Sequence, residues 1–557
     1  MNIVLLSLNS RYIHLSPAPY YLAAALLDTP HSVEILDRNV NEREEDVLEA
    51  ILLRSPDVLG VSVYIWNLTY LRSLLPKIKE ALPHTRIILG GPEVSYCTEQ
   101  TLLDLPAVDA ILSGEGEETF RAYVNAISEG EDLGGVKGLS YRVEGHLVIG
   151  EPYIGSGTPR SPLDAGYAEA LSGRIAYIES SRGCPFSCAF CLSGRCGGVR
   201  YFDIGQVKKD ILRLSQVSRT VKFVDRTFNA DRARACEILS FILAHYGKEI
   251  LEGTCFHFEL SGALLEEQQL SLFAKAPRGA LQVEIGVQSF HAPTLRAIRR
   301  SAHTERLTEN IRRLLQNGNV HVHIDLIAGL PEESLADFEK SFDKAYALSP
   351  HMLQLGFLKL LYGAPLRENR EEYPCVFDEA PPYEVRSTPV LSEDDLAVVH
   401  TAEKGLDRVY NSARYRRTLA LWHGESKGRS PFRLFLALGE ALSALKAGYT
   451  VNDEISLLYT FFLKQGLDAD RLRDAMLLDF ISTNSSRLMP SALRADDPLY
   501  GRVKSTLATL YPLKSGVRRA VALLKHSKEA AFVDYTEKDP VTHEYPLVLL
   551  PLTEILV

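Results

Sequence analysis

Residues 182–198 read RGCPFSCAFCLSGRCGG, and four of the chain's eight cysteines stand in this one window. Cys184, Cys188 and Cys191 follow the spacing C-x3-C-x2-C directly after the strand-like run RIAYIESS. Three thiolates on one short loop suit three irons of a 4Fe-4S cluster and leave the fourth iron open to another ligand. Zinc is the competing reading, but it prefers four ligands in paired spacings, and no second CxxC or CxxH pair is evident. Cys196 is not needed by this spacing; it reads either as a small loop residue or as a thiol near a substrate.

Outward from this loop, strand-like runs alternate with helical stretches. RIAYIESS, VKFVDRTF, GTCFHFELSG, LQVEIGVQS, VHVHIDLIAGL and MLQLGFLKLL make six β/α repeats over about residues 175–374. Such spacing predicts a parallel, barrel-like sheet with its active site at the carboxyl ends of the strands. Residues 1–150 hold a separate series, NIVLLSLN, SVEILDRN, VLGVSVYIW, RIILGG and DAILSGEG, with amphipathic stretches between them. This predicts a doubly wound α/β domain that binds ligands beyond its strand ends. GLSYRVEGHLVIG reads as a small hairpin, and residues 151–174, including GSGTPRSPLDAG, read as a linker. Residues 375–557 turn mostly helical, as in PFRLFLALGEALSALKAG.

The bulk properties limit the possibilities. A chain of 557 residues is too long for one core, and the length suggests about three or four domains. No apolar run approaches the roughly 18 residues of a membrane span. MNIVLLSLNSRYIH lacks the basic region and cleavage site of a secretory signal. A cytoplasmic location with no membrane partner is expected. Eight cysteines in so long a chain are no disulfide framework. The net charge of -10 argues against a protein generally coated with nucleic acid, although basic residues slightly outnumber acidic ones after about residue 401.

The cysteine loop resembles the radical S-adenosylmethionine enzymes, whose signature is C-x3-C-x-aromatic-C, with Phe190 in the aromatic place. The resemblance covers the six repeats. VEIGVQSF, with Glu284, Gly286, Gln288 and Ser289, is similar to the family's fourth-strand segment near the cofactor ribose. HIDLIAGLPEE, with Asp325, Gly329, Pro331 and Glu332, is similar to the fifth strand and the turn near the adenine. VDRTF puts Asp225 at the second-strand position, where many relatives carry a Gly-Gly-Glu segment contacting the methionine amino group.

In the first domain, Gly90 and Gly91 end one strand, and Gly114 and Gly116 end the next. Glycine there allows close backbone approach, and helix N-terminal amides suit phosphate. No G-x-G-x-x-G run follows the first strand, so a nicotinamide site is not expected. The combination GGPE, SGEGE and the cysteine loop resembles the cobalamin-dependent radical S-adenosylmethionine enzymes. By that resemblance Ser62, Gly90 and Gly91 lie along a pocket for the cobalamin nucleotide tail, and Gly114 and Glu115 close its far side. The D-x-H-x-x-G motif of other cobalamin proteins is absent: His14 stands in the first loop, but Tyr12 replaces the Asp and Pro17 the Gly. His14 reads as a lower cobalt ligand, a corrin contact or a turn residue. Methylthiotransferases need three cysteines in this domain; here there is only Cys97.

The C-terminal region resembles a domain of unassigned function attached to one branch of these enzymes. Arg414, Arg416 and Arg417 beside Tyr410 and Tyr415, and a second basic stretch of Lys514, Arg518, Arg519, Lys525 and Lys528, would suit an RNA backbone and its bases. A solvated helix face balanced by acids such as Asp407 explains them equally well. The resemblance implies an enzyme holding a 4Fe-4S cluster, S-adenosylmethionine and cobalamin, served by an electron donor such as flavodoxin or ferredoxin. It would abstract hydrogen with a 5'-deoxyadenosyl radical and transfer a methyl from methylcobalamin to an unactivated carbon. A tRNA nucleoside is the preferred substrate, ahead of a peptide, lipid or small metabolite. The alternatives are a cyclisation or rearrangement on a small metabolite, and a cobalamin- or redox-responsive regulator without turnover. Tyr64, Cys255 and Glu259 are candidates for substrate chemistry by strand-end position alone.

Overall fold

The computed structural model describes residues 1–556 other than 427, 487, 495 and 496; for Cys196 it describes the backbone alone, so the thiol reading lies outside the described residues. The chain forms two compact units. The first comprises Met1–Glu284, Leu295–Ser301 and Phe357–Pro389; the second comprises Ile285–Thr294, Ala302–Gly356 and Val390–Val557.

The first unit opens with a seven-stranded sheet. Its strands are β1 (Asn2–Asn9), β2 (Ser32–Asn39), β3 (Val58–Ser62), β4 (Arg86–Gly90), β5 (Ala110–Leu112), β6 (Leu139–Val143) and β7 (His146–Val148), in the order β2-β1-β3-β4-β5-β6-β7. The first five are parallel, and β6 and β7 are the expected hairpin, added antiparallel at the edge. Alternation along β1 explains the two-layer wrapping. Val4, Leu6 and Leu8 pack with Leu71, Leu75 and Ile78 of the helix Leu68–Ala81, whereas Ile3 and Leu5 pack with Phe120 and Val124 of the helix Gly116–Glu129. A strand buried on both faces needs an unbroken apolar run, and NIVLLSLN supplies it. Each such side chain taken fully out of water contributes about 1.5–3 kcal/mol.

All six predicted repeats of the next region contain a strand: β8 (Ala176–Ile178), then the antiparallel pair β9 (Ser181–Gly183) and β10 (Val199–Tyr201), then β11 (Thr220–Phe223), β12 (Cys255–Leu260), β13 (Leu281–Gln288), β14 (His321–Ala328) and β15 (Met352–Phe357). β8, β11 and β12 pair in parallel within the first unit. The sheet runs β15-β14-β13-β12-β11-β8, and the division between units falls within β13, after Glu284. The first unit also retains the chain through Pro389, beyond the boundary expected at 375, with a two-stranded sheet of β16 (Val376–Phe377) and β17 (Val385–Ser387). There the Tyr383 hydroxyl donates to the Glu93 carboxylate.

In the second unit the C-terminal region is mostly helical, as expected. The helices Glu393–Leu406 and Pro431–Ser443 cross at backbone contact: a Cβ on Gly405 would strike the Phe435 carbonyl, and one on Gly439 the Thr401 carbonyl. A π-helical turn, Asp407–Asn411, follows the first of them. Asn411 meets β15 as a strand would: its Nδ2 donates to the Leu353 carbonyl at 2.9 Å, and its Oδ1 accepts from the Leu353 amide at 3.0 Å. Sequence reading did not anticipate the antiparallel sheet β18 (Arg519–Leu523), β19 (Glu529–Asp534) and β20 (Leu547–Pro551), which shares a core with Val503 and Leu507. No helix among the described residues is long and apolar enough to cross a membrane.

Candidate active site

The cysteine loop springs from the β9–β10 pair, which joins Gly183 to Val199 and Arg182 to Arg200. It is pinned near its middle: the buried Ala189 donates its amide to the Ile298 carbonyl at 3.1 Å and accepts at its own carbonyl from the Leu366 amide at 2.9 Å. Cys184, Cys188 and Cys191 are all free and partly buried. The Cys184 sulfur lies 3.3 Å from the Thr227 hydroxyl, the Ser193 amide donates to the Cys191 sulfur at 3.4 Å, and Arg300 Nη1 lies 3.9 Å from the Cys188 sulfur. Burial pushes the Cys188 thiol up, the Arg300 charge opposes this, and the neighbouring Cys191 and Cys184 push it further. Three cysteines on one loop, two of them near enough to act on Cys188, with a guanidinium and an amide donor at hand, fit a thiolate-held anionic cluster. Among the described residues no three His, Cys, Asp or Glu converge on a single-ion position. A cluster does not require that, since each thiolate takes its own iron. Phe190 is half-buried in the same loop.

Five residues expected around cobalamin, Ser62, Gly90, Gly91, Gly114 and Glu115, line one cavity of about 420 Å³ at the carboxyl ends of β3, β4 and β5. The barrel contributes Glu179, Arg182, Val224 and Arg226, from beyond β8 and β11, to the same cavity. The volume suits a bicyclic base rather than a whole corrin ring, as a tail pocket requires. The glycines have backbone reasons of their own: Gly91 has φ +112 and a Cβ there would lie 2.5 Å from the Val63 carbonyl, while Gly114 has φ +87 and bridges Tyr153. The cavity wall also includes the half-buried Tyr64, whose ring stacks on Trp66 at 4.3 Å and 7°.

His14 is not among the residues lining the cavity. Its Nδ1 lies 2.5 Å from the Tyr177 hydroxyl of β8, and its backbone bridges Ile175, so the first loop is docked on the barrel. Burial, then Arg11 and Lys222, lower its pKa.

Asp225 serves as a strand link in this structure. It is fully buried, and it accepts from the Ser180 amide at 2.9 Å and from the Ser180 and Ser181 hydroxyls at 2.6 Å each, which ties the end of β8 to β11. Burial raises its pKa to about 6, against those hydrogen bonds. Glu284 meets His257 at 3.1 Å and Lys222 at 3.5 Å on adjacent strands. Cys255 is driven to about 11 by burial, and Glu259 is also raised by burial, with Arg226 at 3.9 Å.

In the second unit Gln288 ends β13 at φ +69, and its Oε1 is buried with no hydrogen-bond partner, a strained and orphaned acceptor of the kind that ligand sites keep. Asp325 lies on β14, and Gly329 follows it at φ +86. Ser289 donates to the buried Glu333 at 2.6 Å, and Glu333, also bound by Ser341 at 2.8 Å, is raised by burial to about 7. Ser289 therefore serves an internal network that sequence reading missed.

The basic aromatic stretch of the C-terminal region is largely spent inside the unit. Tyr410 donates to the Pro350 carbonyl, and Tyr415, which is buried, donates to Glu454 at 2.7 Å. Arg417 meets Asp479 at 3.3 Å and Glu544 at 2.9 Å, and Arg519 meets Asp534 at 2.6 Å. Arg414, Lys514, Arg518, Lys525 and Lys528 remain exposed. Tyr511, three residues before Lys514, is an exposed ring in the same stretch.

Family comparisons divide the chain in three. A family described as "B12 binding domain" matches residues 3–124, "Radical SAM superfamily" matches 178–345, and "Protein of unknown function (DUF4080)" matches 371–535. An uncharacterized methyltransferase of Pyrococcus horikoshii is 25% identical over 346 residues, covering 58% of this chain and 72% of that protein. An anaerobic magnesium-protoporphyrin IX monomethyl ester cyclase of Rubrivivax gelatinosus is 27% identical over 341 residues, covering 58% of this chain and 60% of that one. The solved structure of OxsB, a cobalamin-dependent S-adenosylmethionine radical enzyme with aqua-cobalamin and S-adenosylmethionine bound, superposes with a TM-score of 0.60 at 16% identity, over 85% of this chain and 78% of that one. At that identity the likeness is one of fold.

Proposed function

We propose that this chain, which by its B12-binding and radical SAM domains belongs to the cobalamin-dependent radical S-adenosylmethionine enzymes, methylates an unactivated carbon of a small molecule or peptide. The observation that carries this reading is the shared cavity. Ser62, Gly90 and Gly114 of the first sheet and Glu179, Val224 and Arg226 of the barrel line one space, so a group seated in the first domain faces the strand ends of the second. When bound, the cluster, S-adenosylmethionine and cobalamin supply a hydrogen-abstracting radical and a transferable methyl group.

The chain's own residues hold, orient and exclude. Cys184, Cys188 and Cys191 would hold the cluster on a loop whose midpoint is fixed at Ala189. Tyr64 and the glycines of β4 and β5 shape the tail pocket. Gln288 keeps a buried acceptor unused at a strand end. The tRNA expectation rests on basic residues interleaved with aromatics, and because Tyr410, Tyr415 and Arg417 make internal contacts we favour a small molecule or peptide ahead of it.

Product analysis tests the reading. Reduced, cluster-loaded protein given both cofactors and a substrate pool should release S-adenosylhomocysteine together with 5'-deoxyadenosine, and one substrate mass should rise by a methylene unit. Similarity to the cyclase favours a second reading, in which no methyl moves; 5'-deoxyadenosine without S-adenosylhomocysteine would decide for it. A methylated nucleoside in the RNA fraction would reinstate the tRNA expectation.

A further inference from the structure

The strand pair that closes the cysteine loop is unfavourable on its own. It sets Arg182 directly opposite Arg200, and like charges facing each other across a strand pair weaken it. Three carboxylates, two of them from the first domain, offset this. Glu115 reaches both arginines: its Oε2 lies 2.8 Å from Arg182 Nη1 and 2.5 Å from Arg200 Nη2, and its Oε1 lies 2.8 Å from Arg200 Nη1. Glu117 takes Arg182 at 2.5 Å, and Glu179 takes it at 2.8 Å. Phe202, next to the end of β10, lies 5.5 and 5.8 Å from the two guanidinium carbons.

These carboxylates are not remote from the cavity. Glu115 is the N-cap residue of the helix Gly116–Glu129 and Glu117 stands in its first turn, and both line the space assigned to cobalamin. The first turn of one helix therefore faces the cavity and clamps the base of the cluster loop.

We propose that Glu115, Arg182 and Arg200 are positioning residues that couple occupancy of the cobalamin cavity to ordering of the cysteine loop, so that each cofactor raises the chain's affinity for the other. This rests on the reading that the cavity takes cobalamin and the loop takes the cluster. A ligand against Gly114–Glu117 restricts the first helical turn and the rotamers of both glutamates. With those carboxylates fixed, the arginine pair needs less ordering to hold the loop closed, and one ordering cost serves two ligands. Reciprocity then requires the assembled cluster to tighten cobalamin binding by the same factor.

Hydroxocobalamin binding, followed by equilibrium dialysis, should be compared in cluster-loaded and iron-free full-length protein. The wild-type ratio of affinities should fall within about 5- to 150-fold in favour of the loaded form. In Glu115→Gln and in Arg200→Gln, both of which leave the Arg182–Glu117–Glu179 pairs in place, the ratio should fall to about 1, since among the described residues Glu115 is the carboxylate shared by both arginines. A role limited to stability would weaken both forms together and keep the ratio. A wild-type ratio of 1, or a wild-type ratio retained in both variants, overturns the coupling. Absence of hydroxocobalamin binding by either wild-type form overturns the proposed function and the coupling with it.

Discussion

The base of the cysteine loop and the arginine-rich start of the C-terminal helices look alike as sequence: arginines beside aromatics, with acids nearby. In the structure they differ in what their charges reach. Arg182 and Arg200 meet Glu115, 67 and 85 residues away, at the wall of a cavity. Arg417 meets Asp479 and Glu544, 62 and 127 residues away, within the C-terminal region. One cluster joins two domains at a candidate site, and the other only holds a domain together. Arginine among aromatics says little until its carboxylate partner is located.

The largest expected effect sharpens this contrast. Cys188→Ala should abolish cluster assembly and all turnover, measured as iron content and 5'-deoxyadenosine release. Arg182→Ala should cost about 3–5 kcal/mol, because it leaves the largely buried Glu117 and Glu179 without their cation, and cobalamin retention should fall with it. Arg417→Ala should cost about 3 kcal/mol by urea denaturation while leaving iron content intact. Loss of iron in that variant would break the comparison.

A smaller effect concerns acid. His321 is held down to about 2 by burial first, then by His323, His351, His543 and Arg416. Its folded pKa lies below the ordinary 6.5, so between those values the unfolded chain binds a proton that the folded chain refuses. Stability is unaffected above pH 6.5 and falls as pH drops below it, by up to about 1.4 kcal/mol per pH unit. Thermal unfolding at pH 7 and pH 5 should show the loss, and His321→Phe should reduce it. The smallest effect expected is that of Tyr410→Phe, about 1 kcal/mol for one hydrogen bond, with no change in RNA retention.

The legible parts of the molecule were those specified locally. NIVLLSLN announces a strand buried on both faces because its own side chains alternate between two cores, and the cysteine spacing is a property of one loop. The strand-linking role of Asp225 was not legible because its partners, Ser180 and Ser181, are brought to it only by the pairing of β8 with β11. The runs RAVAL and EAAFVD, which became β18 and β19, are short and poor in aromatics, and a helical reading suits them as well until they pair. Arg182 stood in the first stretch quoted, yet nothing adjacent to it names Glu115.

An open sheet has two terminal strands, and a terminal strand with free amides is a template on which another chain can assemble. At Leu353 of β15 a single asparagine, brought in by the π-helical turn, takes up both the amide and the carbonyl that a neighbouring strand would use. The protein thus denies that position to a second copy of itself, and Asn411→Ala is where fibrous or sheet-paired self-association should first emerge.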